Sequence, residues 1–317
     1  MSRIYQKYLN VNTKFRPYIK GQQPSSTDFL VTLPTPVRNV LSMKLKTFNA
    51  PNTEYTFNVK ENNNSFQIID VSGGTSVPYT IKVPAGSYLT SQLVYVVNQL
   101  LASALGVTDI ELDYLTPIAT GGLQRFAFKS VNPANPITNY ELNFDVHVDN
   151  YIFNTFGWKL GFQKSYYSKN TDLAKNPFPG LSCENNTGNV KGTSTYDDAT
   201  FNSDTYYLAD TPIALPNTSP YYLLSINDFL NQSDVTFIEA CYPSNNIMDN
   251  IFARITTKYA DDNNTVYETD VTESYKRVYS GPVTLSKLHI KLYDDNNNII
   301  DLNNADYSFL LELEVKA

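Results

Sequence analysis

Glu312 and Glu314 stand two residues apart near the end of the chain, on one face of a segment that alternates as a strand does. Two carboxylates sharing a face could serve as acid and base in glycoside cleavage, but the spacing is equally that of a solvated strand face, and that reading is preferred. Asp294, Asp295, Asp261 and Asp262 could ligate calcium through oxygen. Each belongs to an Asp/Asn run whose turn chemistry accounts for it. His147 and His289 are far apart, lie within strand patterns and have no Cys, His or Asp at metal-ligand spacing. Cys183 has no histidine nearby to activate it, and Gly73-Gly74 and Gly121-Gly122 lack the Lys-Ser/Thr that follows a phosphate loop. The chain is therefore expected to hold no catalytic residue, no metal and no cofactor, and to work through shape and surface.

The elements behind these residues are mostly strands. Leu288, Ile290 and Leu292 alternate with Lys287, His289 and Lys291, and Phe309, Leu311, Leu313 and Val315 alternate with Ser308, Glu312 and Glu314. The Asp294–Asn298 run between them reads as the turn of a terminal strand pair. Leu41, Met43 and Leu45 mark another half-buried strand, with Pro34, Pro36 and Pro51 punctuating its surroundings. Further strands are expected at 110–115, 123–131, 140–148, 221–229, 234–242, 250–260 and 265–271, the last two joined by a hairpin turn at 261–264. One segment changes period. Leu89, Leu93, Val96, Val97, Leu100 and Ala104 recur at helical spacing, with Thr90 placed to cap the start and Gly106 to end it.

Composition agrees with a β protein. Among 317 residues there are 24 Tyr and 17 Phe, and only 17% are charged, a mix suited to pleated surfaces. Two cysteines are too few for a disulfide framework. No segment approaches the ~20 apolar residues of a membrane-spanning helix, and the first 20 residues contain no stretch apolar enough for a signal peptide.

Charge is distributed unevenly. Residues 1–24 contain Arg3, Lys7, Lys14, Arg16 and Lys20 and no acid, whereas the whole chain carries −7, leaving −12 for the remainder. A basic arm on an acidic body suits contact with an acidic neighbour, another copy of the chain included, the alternative being a disordered, solvated tail. The body offers no basic patch to continue it, so nucleic acid is not an expected partner. Residues 164–204 are polar and aperiodic, and so long a loop in a compact domain marks function or disorder. Tyr166, Tyr167 and Tyr196 within it supply contact area with few rotors and a hydroxyl handle. With the basic residues of the arm they are the expected inter-subunit contacts.

The organisation expected is mainly β. Residues 25–60 and 205–317 form a jelly-roll-like β-sandwich, 61–163 an inserted α+β unit carrying the helix, 1–24 the arm and 164–204 the loop. Two consecutive β domains are the alternative.

Several phrases resemble a family of structural proteins from large icosahedral DNA viruses of eukaryotes, the nucleocytoplasmic group. They are the strand–proline–long strand opening from Phe29 to Asn52, the strand-to-helix run Tyr79-Thr80-Ile81-Lys82-Val83-Pro84-Ala85-Gly86-Ser87-Tyr88-Leu89-Thr90, the Leu160-Gly161-Phe162 triplet, the strand Tyr222–Asp228, and the segment from Gly281 to Glu314. The resemblance implies a jelly-roll minor capsid protein, or a fivefold penton subunit, in the virion and assembled in the host cytoplasm. Its partners would be the major capsid protein and other minor capsid proteins. A host-glycan-binding β-sandwich is the alternative from another class.

Overall fold

The computed structural model describes residues 3–17, 25–106, 110–117, 125–130, 139–147, 151–168, 183–185, 195–196, 206–213, 215, 219–230, 250–257, 265–269 and 276–317. In chain order its principal elements are β1 (Ile4–Asn12), β2 (Asp28–Pro51), β3 (Ser65–Asp70), β4 (Val77–Lys82), α1 (Thr90–Leu105), β5 (Ile110–Pro117), β6 (Arg125–Ser130), β7 (Tyr140–Asn143), α2 (Phe156–Lys159), β8 (Tyr166–Tyr167), β9 (Cys183–Asn185), β10 (Thr195–Tyr196), β11 (Tyr206–Leu208), β12 (Tyr221–Asn227), β13 (Ile251–Thr256), β14 (Thr265–Thr269), β15 (Lys276–Tyr293) and β16 (Ser308–Lys316). The chain is mainly β, its sheets are antiparallel, and α1 is its main helix. That architecture is consistent with a jelly-roll-type sandwich.

Two compact units emerge, residues 1–54 with 219–317, and residues 55–218. The first is built on a seven-stranded sheet in the order β1-β16-β2-β15-β12-β13, with β14 also paired to β2. Its axis is β2, 24 residues long. On one edge of β2 lies β16. Along the other edge β14 and β15 follow one another, with Thr269 opposite Thr47 and Lys276 opposite Lys44.

Pro34 and Pro36 do not end β2 but fall where its ladder with β15 is interrupted. Neither has an N–H for the ladder, and the pairing with β15 slips there, from Leu285↔Val37 to Lys287↔Thr32. Such a slip lodges extra residues on one strand. Phe48, Met43, Leu45, Leu288, Ile290, Leu292, Phe309 and Leu311 are all buried in this unit's core, each contributing ~1.5–3 kcal/mol of apolar burial.

Two expected pairings do not form. The segments 288–292 and 309–315 are not a hairpin: β15 and β16 flank β2 on opposite sides. The Asp294–Asn298 turn does form, with Asp294 N–H donating to the Asn298 carbonyl at 2.9 Å and Asn297 at φ +63°. Ile300, Leu302 and Tyr307 then enter the core before β16 begins, carrying the chain past its expected partner. Likewise β13 pairs with β12 and β14 with β2, rather than with each other. The expected strand at 234–242 and the turn at 261–264 lie outside the described residues.

The second unit holds two sheets, β10-β9-β5-β6-β11 and β4-β3-β7-β8. Helix α1 buries Leu93, Val94, Val97 and Leu101. Its N-cap is Leu89, whose N–H is taken by the Gln92 side chain at 3.0 Å, so Thr90 is the first helical residue and not the cap. Gly106 ends the helix in the left-handed region, as expected.

The core here is aromatic. The rings of Phe66 and Phe156 stack at 4.7 Å, Phe144 tilts against Phe66, and the contacts run on from Phe144 through Phe162 and Tyr167 to Tyr207. Gly161 has φ +91°, and a β-carbon there would sit 2.2 Å from the Thr211 carbonyl oxygen. That close approach explains the glycine of the Leu-Gly-Phe triplet. Residues 206–208, assigned above to the sandwich, pair with β6 in this unit, and short strands occupy 166–167, 183–185 and 195–196 of the stretch read as a loop.

Candidate functional site

The basic segment is not a free arm over its described part. IYQKYLNVN alternates well enough to enter the sheet, and β1 pairs with β16 from Ile4↔Lys316 to Asn12↔Ser308 without a slip. A 3-10 turn, Thr13–Phe15, follows. It is pinned by the Thr13 N–H donating to the Tyr307 carbonyl (2.9 Å), by Thr13 Oγ1 donating to Asp306 (3.1 Å), and by Arg16, which ion-pairs with Asp306 and donates to the Thr13 carbonyl at 2.8 Å.

This arrangement collects the basic residues along one sheet edge. The Arg3 carbonyl accepts the Ala317 N–H at 2.9 Å, Lys7 lies over the Tyr5 ring at 5.7 Å, and Lys14 is exposed on the turn. Among the described residues no carboxylate comes within ion-pair distance of Arg3, Lys7 or Lys14. Lys20 lies outside the described residues. Most of β1 is exposed on both faces, with Ile4 and Tyr8 each 59% accessible and Leu9 and Val11 turning into the core. At the far end of β1 a shallow cleft of about 380 Å³ is lined by Asn12, Lys14, Asn49, Pro51, Asp306 and Ser308.

The tyrosines belong to the second unit, and strand alternation separates them. Tyr166 faces outward beside Asn143, Gln67 and Thr80, which bond side chain to side chain across the sheet at 2.9 and 3.2 Å. Its hydroxyl donates to Glu141, and partial burial together with that carboxylate pushes it up to about 12. Tyr167 is buried, and its hydroxyl donates to Asp210 and accepts the Lys164 N–H at 3.1 Å. Its ring is core, so the expectation that it offers surface contact is corrected. Tyr196 lies in β10, whose backbone pairs with β9.

The groups considered for chemistry resolve into local roles. Glu314 accepts from Ser42 (2.7 Å) and Lys276 (2.9 Å), which together hold its carboxyl below the usual range, and Glu312 pairs with Lys46 at 3.3 Å. His289 contacts Asp28 at 2.7 Å. His147 contacts Ser65 at 3.0 Å and lies beyond the end of β7 rather than inside a strand. Among the described residues no group of three His, Cys, Asp or Glu could hold a metal. Asp294 Oδ1 accepts the N–H groups of Asn296 and Asn298 at 2.9 and 2.8 Å, which is turn chemistry. Burial drives its carboxyl up to about 7, with Asp295 and Glu54 adding to the rise and those N–H groups opposing it.

Three buried polar clusters had no signal in the sequence: two join distant segments, and the third crosses between the neighbouring strands β5 and β6. Asp228 receives Arg277 and Tyr279, each at 2.9 Å. Glu54 receives Ser219 Oγ at 2.7 Å. Lys129 is ion-paired with Asp113, both nearly inaccessible. Asp228 and Asp113 are each ion-paired inside their own unit, with Arg277 and Lys129, and Glu54 is held by the neutral donors Ser219 and Tyr222. No described helix is long and apolar enough to cross a membrane.

No protein-family model and no curated protein matches the chain. Among solved structures, the crystal structure of selenomethionine-labelled mavirus penton protein is similar at 11% identity, covering 99% of this chain and 100% of that one, with a TM-score of 0.43.

Proposed function

We propose that this chain is a non-enzymatic structural component of an icosahedral virion, held in the shell by non-covalent contacts with the major capsid protein and other minor capsid proteins. The observation that carries the reading is β1: a regular strand, basic and exposed, presented on the rim of a seven-stranded sheet with no carboxylate paired to Arg3, Lys7 or Lys14 among the described residues. Edges of this kind are ready templates for a neighbouring chain. The family-like segments support the same reading, since they fall on β2, on the β4-to-α1 passage, on the Gly161 close approach, and on β12, β15 and β16. Many weak contacts repeated around a shell add through multivalency.

Quantitative mass spectrometry of purified particles, with cross-linking, tests the proposal. A fixed ratio to the major capsid protein, with cross-links from Lys7, Lys14 or Lys20 to shell proteins, is expected. A few tens of copies, or a stable recombinant pentamer, would place the chain at the fivefold vertices. Absence from particles during productive infection would overturn the reading.

A second reading, a glycan-binding module, is favoured by Tyr166 standing exposed beside the Gln67–Asn143 amide row, since aromatic and amide groups together suit hydroxyl-rich ligands. Saturable binding on a glycan array, lost in Tyr166→Ala, would support it.

A further inference from the structure

The register of β1 on β16 determines which of its backbone groups are spent. Arg3↔Ala317 and Thr13↔Tyr307, each joined by an N–H to carbonyl bond of 2.9 Å, bracket a ladder that runs without a slip. In an antiparallel pair the bonded residues alternate. Arg3, Tyr5, Lys7, Leu9 and Val11 therefore exchange their bonds with β16. Ile4, Gln6, Tyr8 and Asn10 aim their N–H and C=O groups the other way, where no described strand lies, because β1 ends the order of the sheet.

We infer that this free edge accepts an extended acidic segment of another protein chain as an eighth strand. The inference deepens the assembly reading above and rests on it for the setting in which such a chain is met. Backbone bonds to Ile4, Gln6, Tyr8 and Asn10 give the incoming strand its register, and side chains give the choice of partner. Arg3 and Lys7 lie on one face of β1 with Tyr5 between them, and neither has a carboxylate partner among the described residues. A strand laid alongside would set its own residues opposite this face, where acids are attracted and bases repelled. Lys14, on the rim of the Asn12–Ser308 cleft, extends the positive field past the end of the ladder, although Asp306 in the same cleft is occupied by Arg16.

The opposite face offers Ile4 and Tyr8 for apolar contact. A lysine on an edge strand ordinarily guards against indiscriminate pairing. Here the guard also selects, because a basic or neutral strand must face Lys7 without compensation and an acidic one need not.

The test uses the full chain and two labelled synthetic nonapeptides, one alternating Glu with Thr and Val, the other with Lys in place of every Glu. The Glu peptide is expected to bind at least tenfold more tightly than the Lys peptide, to weaken with salt, and to slow hydrogen exchange at the amides of Gln6, Tyr8 and Asn10. Gln6→Pro removes an N–H that β16 does not use, and proline is tolerated on such an edge. It is expected to cost at least tenfold in peptide affinity with the melting temperature unchanged. Lys7→Glu is expected to reverse the peptide preference, an outcome that does not depend on the proline variant folding.

Equal binding of the two peptides, binding that leaves those three amides unprotected, or full affinity in a folded Gln6→Pro would overturn the inference. So would concentration-dependent protection of the same amides without peptide, which would make a second copy the occupant. Particle composition decides the assembly reading separately. A chain incorporated into particles with an unprotected edge sinks strand addition alone, and peptide binding by a chain absent from particles sinks the assembly reading alone.

Discussion

Glu54 and Ser219, 165 positions apart in sequence, are joined by a hydrogen bond of 2.7 Å from Ser219 Oγ to Glu54 Oε1, with the Ser219 N–H reaching the second carboxylate oxygen at 3.3 Å. They are the last and first residues of the first unit on either side of the excursion into residues 55–218. Tyr222 approaches the same carboxylate at 3.5 Å. One buried side chain thus fastens the point where the chain leaves this unit to the point where it returns.

Glu54→Ala should destabilise the first unit by about 1–3 kcal/mol, the cost of leaving buried donors without an acceptor. Glu54→Gln, which keeps one acceptor oxygen, should lose less. Denaturant unfolding of the two variants checks both, and equal stability of Glu54→Ala and the wild type would refute the fastening role.

Asp294 makes stability depend on pH. Its carboxyl rises from 3.8 to about 7 on folding, with burial the main cause. The folded state therefore binds this proton more tightly than the unfolded one, so the contribution to stability declines as pH rises from 3.8 towards 7 and is level beyond. Asp294→Asn keeps an Oδ1 acceptor for the Asn296 and Asn298 N–H groups. It should match the wild type near the low end of that window and exceed it by about 1–3 kcal/mol at mildly alkaline pH. Melting curves across the range are the measurement.

Tyr166 and Tyr167 are adjacent residues with opposite fates. Tyr167→Ala should cost about 3–5 kcal/mol, as aromatic truncation in a packed core does. Tyr166→Ala should stay within about 0.5 kcal/mol of the wild type, as surface changes do. Parallel thermal melts decide it, and a comparable loss in both would contradict the alternation of β8.

The Asp113–Lys129 pair is almost wholly removed from solvent. Lys129→Met alone should destabilise the second unit by about 3–5 kcal/mol, because it leaves an uncompensated carboxylate. Adding Asp113→Leu should recover most of that loss. A double-mutant cycle measures the coupling, and additive losses would show that the two charges do not compensate each other.

Gly161→Ala should be poorly tolerated, since its φ of +91° and the Thr211 carbonyl at 2.2 Å from a β-carbon leave no room. A loss above about 2 kcal/mol is expected from strain and displaced backbone, and unchanged melting would refute it.

What the sequence by itself determined was local: the alternation that makes strands of 288–292 and 309–315, the helical spacing closed by Gly106, and the Asp294–Asn298 turn. Period, propensity and turn chemistry act over a few residues, so they are written where they act. The surplus of cations in the first 24 residues was legible in the same way.

Only the tertiary structure decided which strand lies beside which. Alternation says that a strand has a buried face but does not name its neighbour. Two consecutive strands therefore read as a hairpin, yet β2 lies between β15 and β16. It also decided that a basic segment becomes an edge strand, because β16 offers IYQKYLNVN a complementary ladder and Asp306, 290 residues from Arg16, secures its end. Burial of Tyr167 with exposure of Tyr166, and the meeting of Glu54 with Ser219, follow from the same cause. Such contacts form only when distant segments are brought together, and no window of sequence contains both partners.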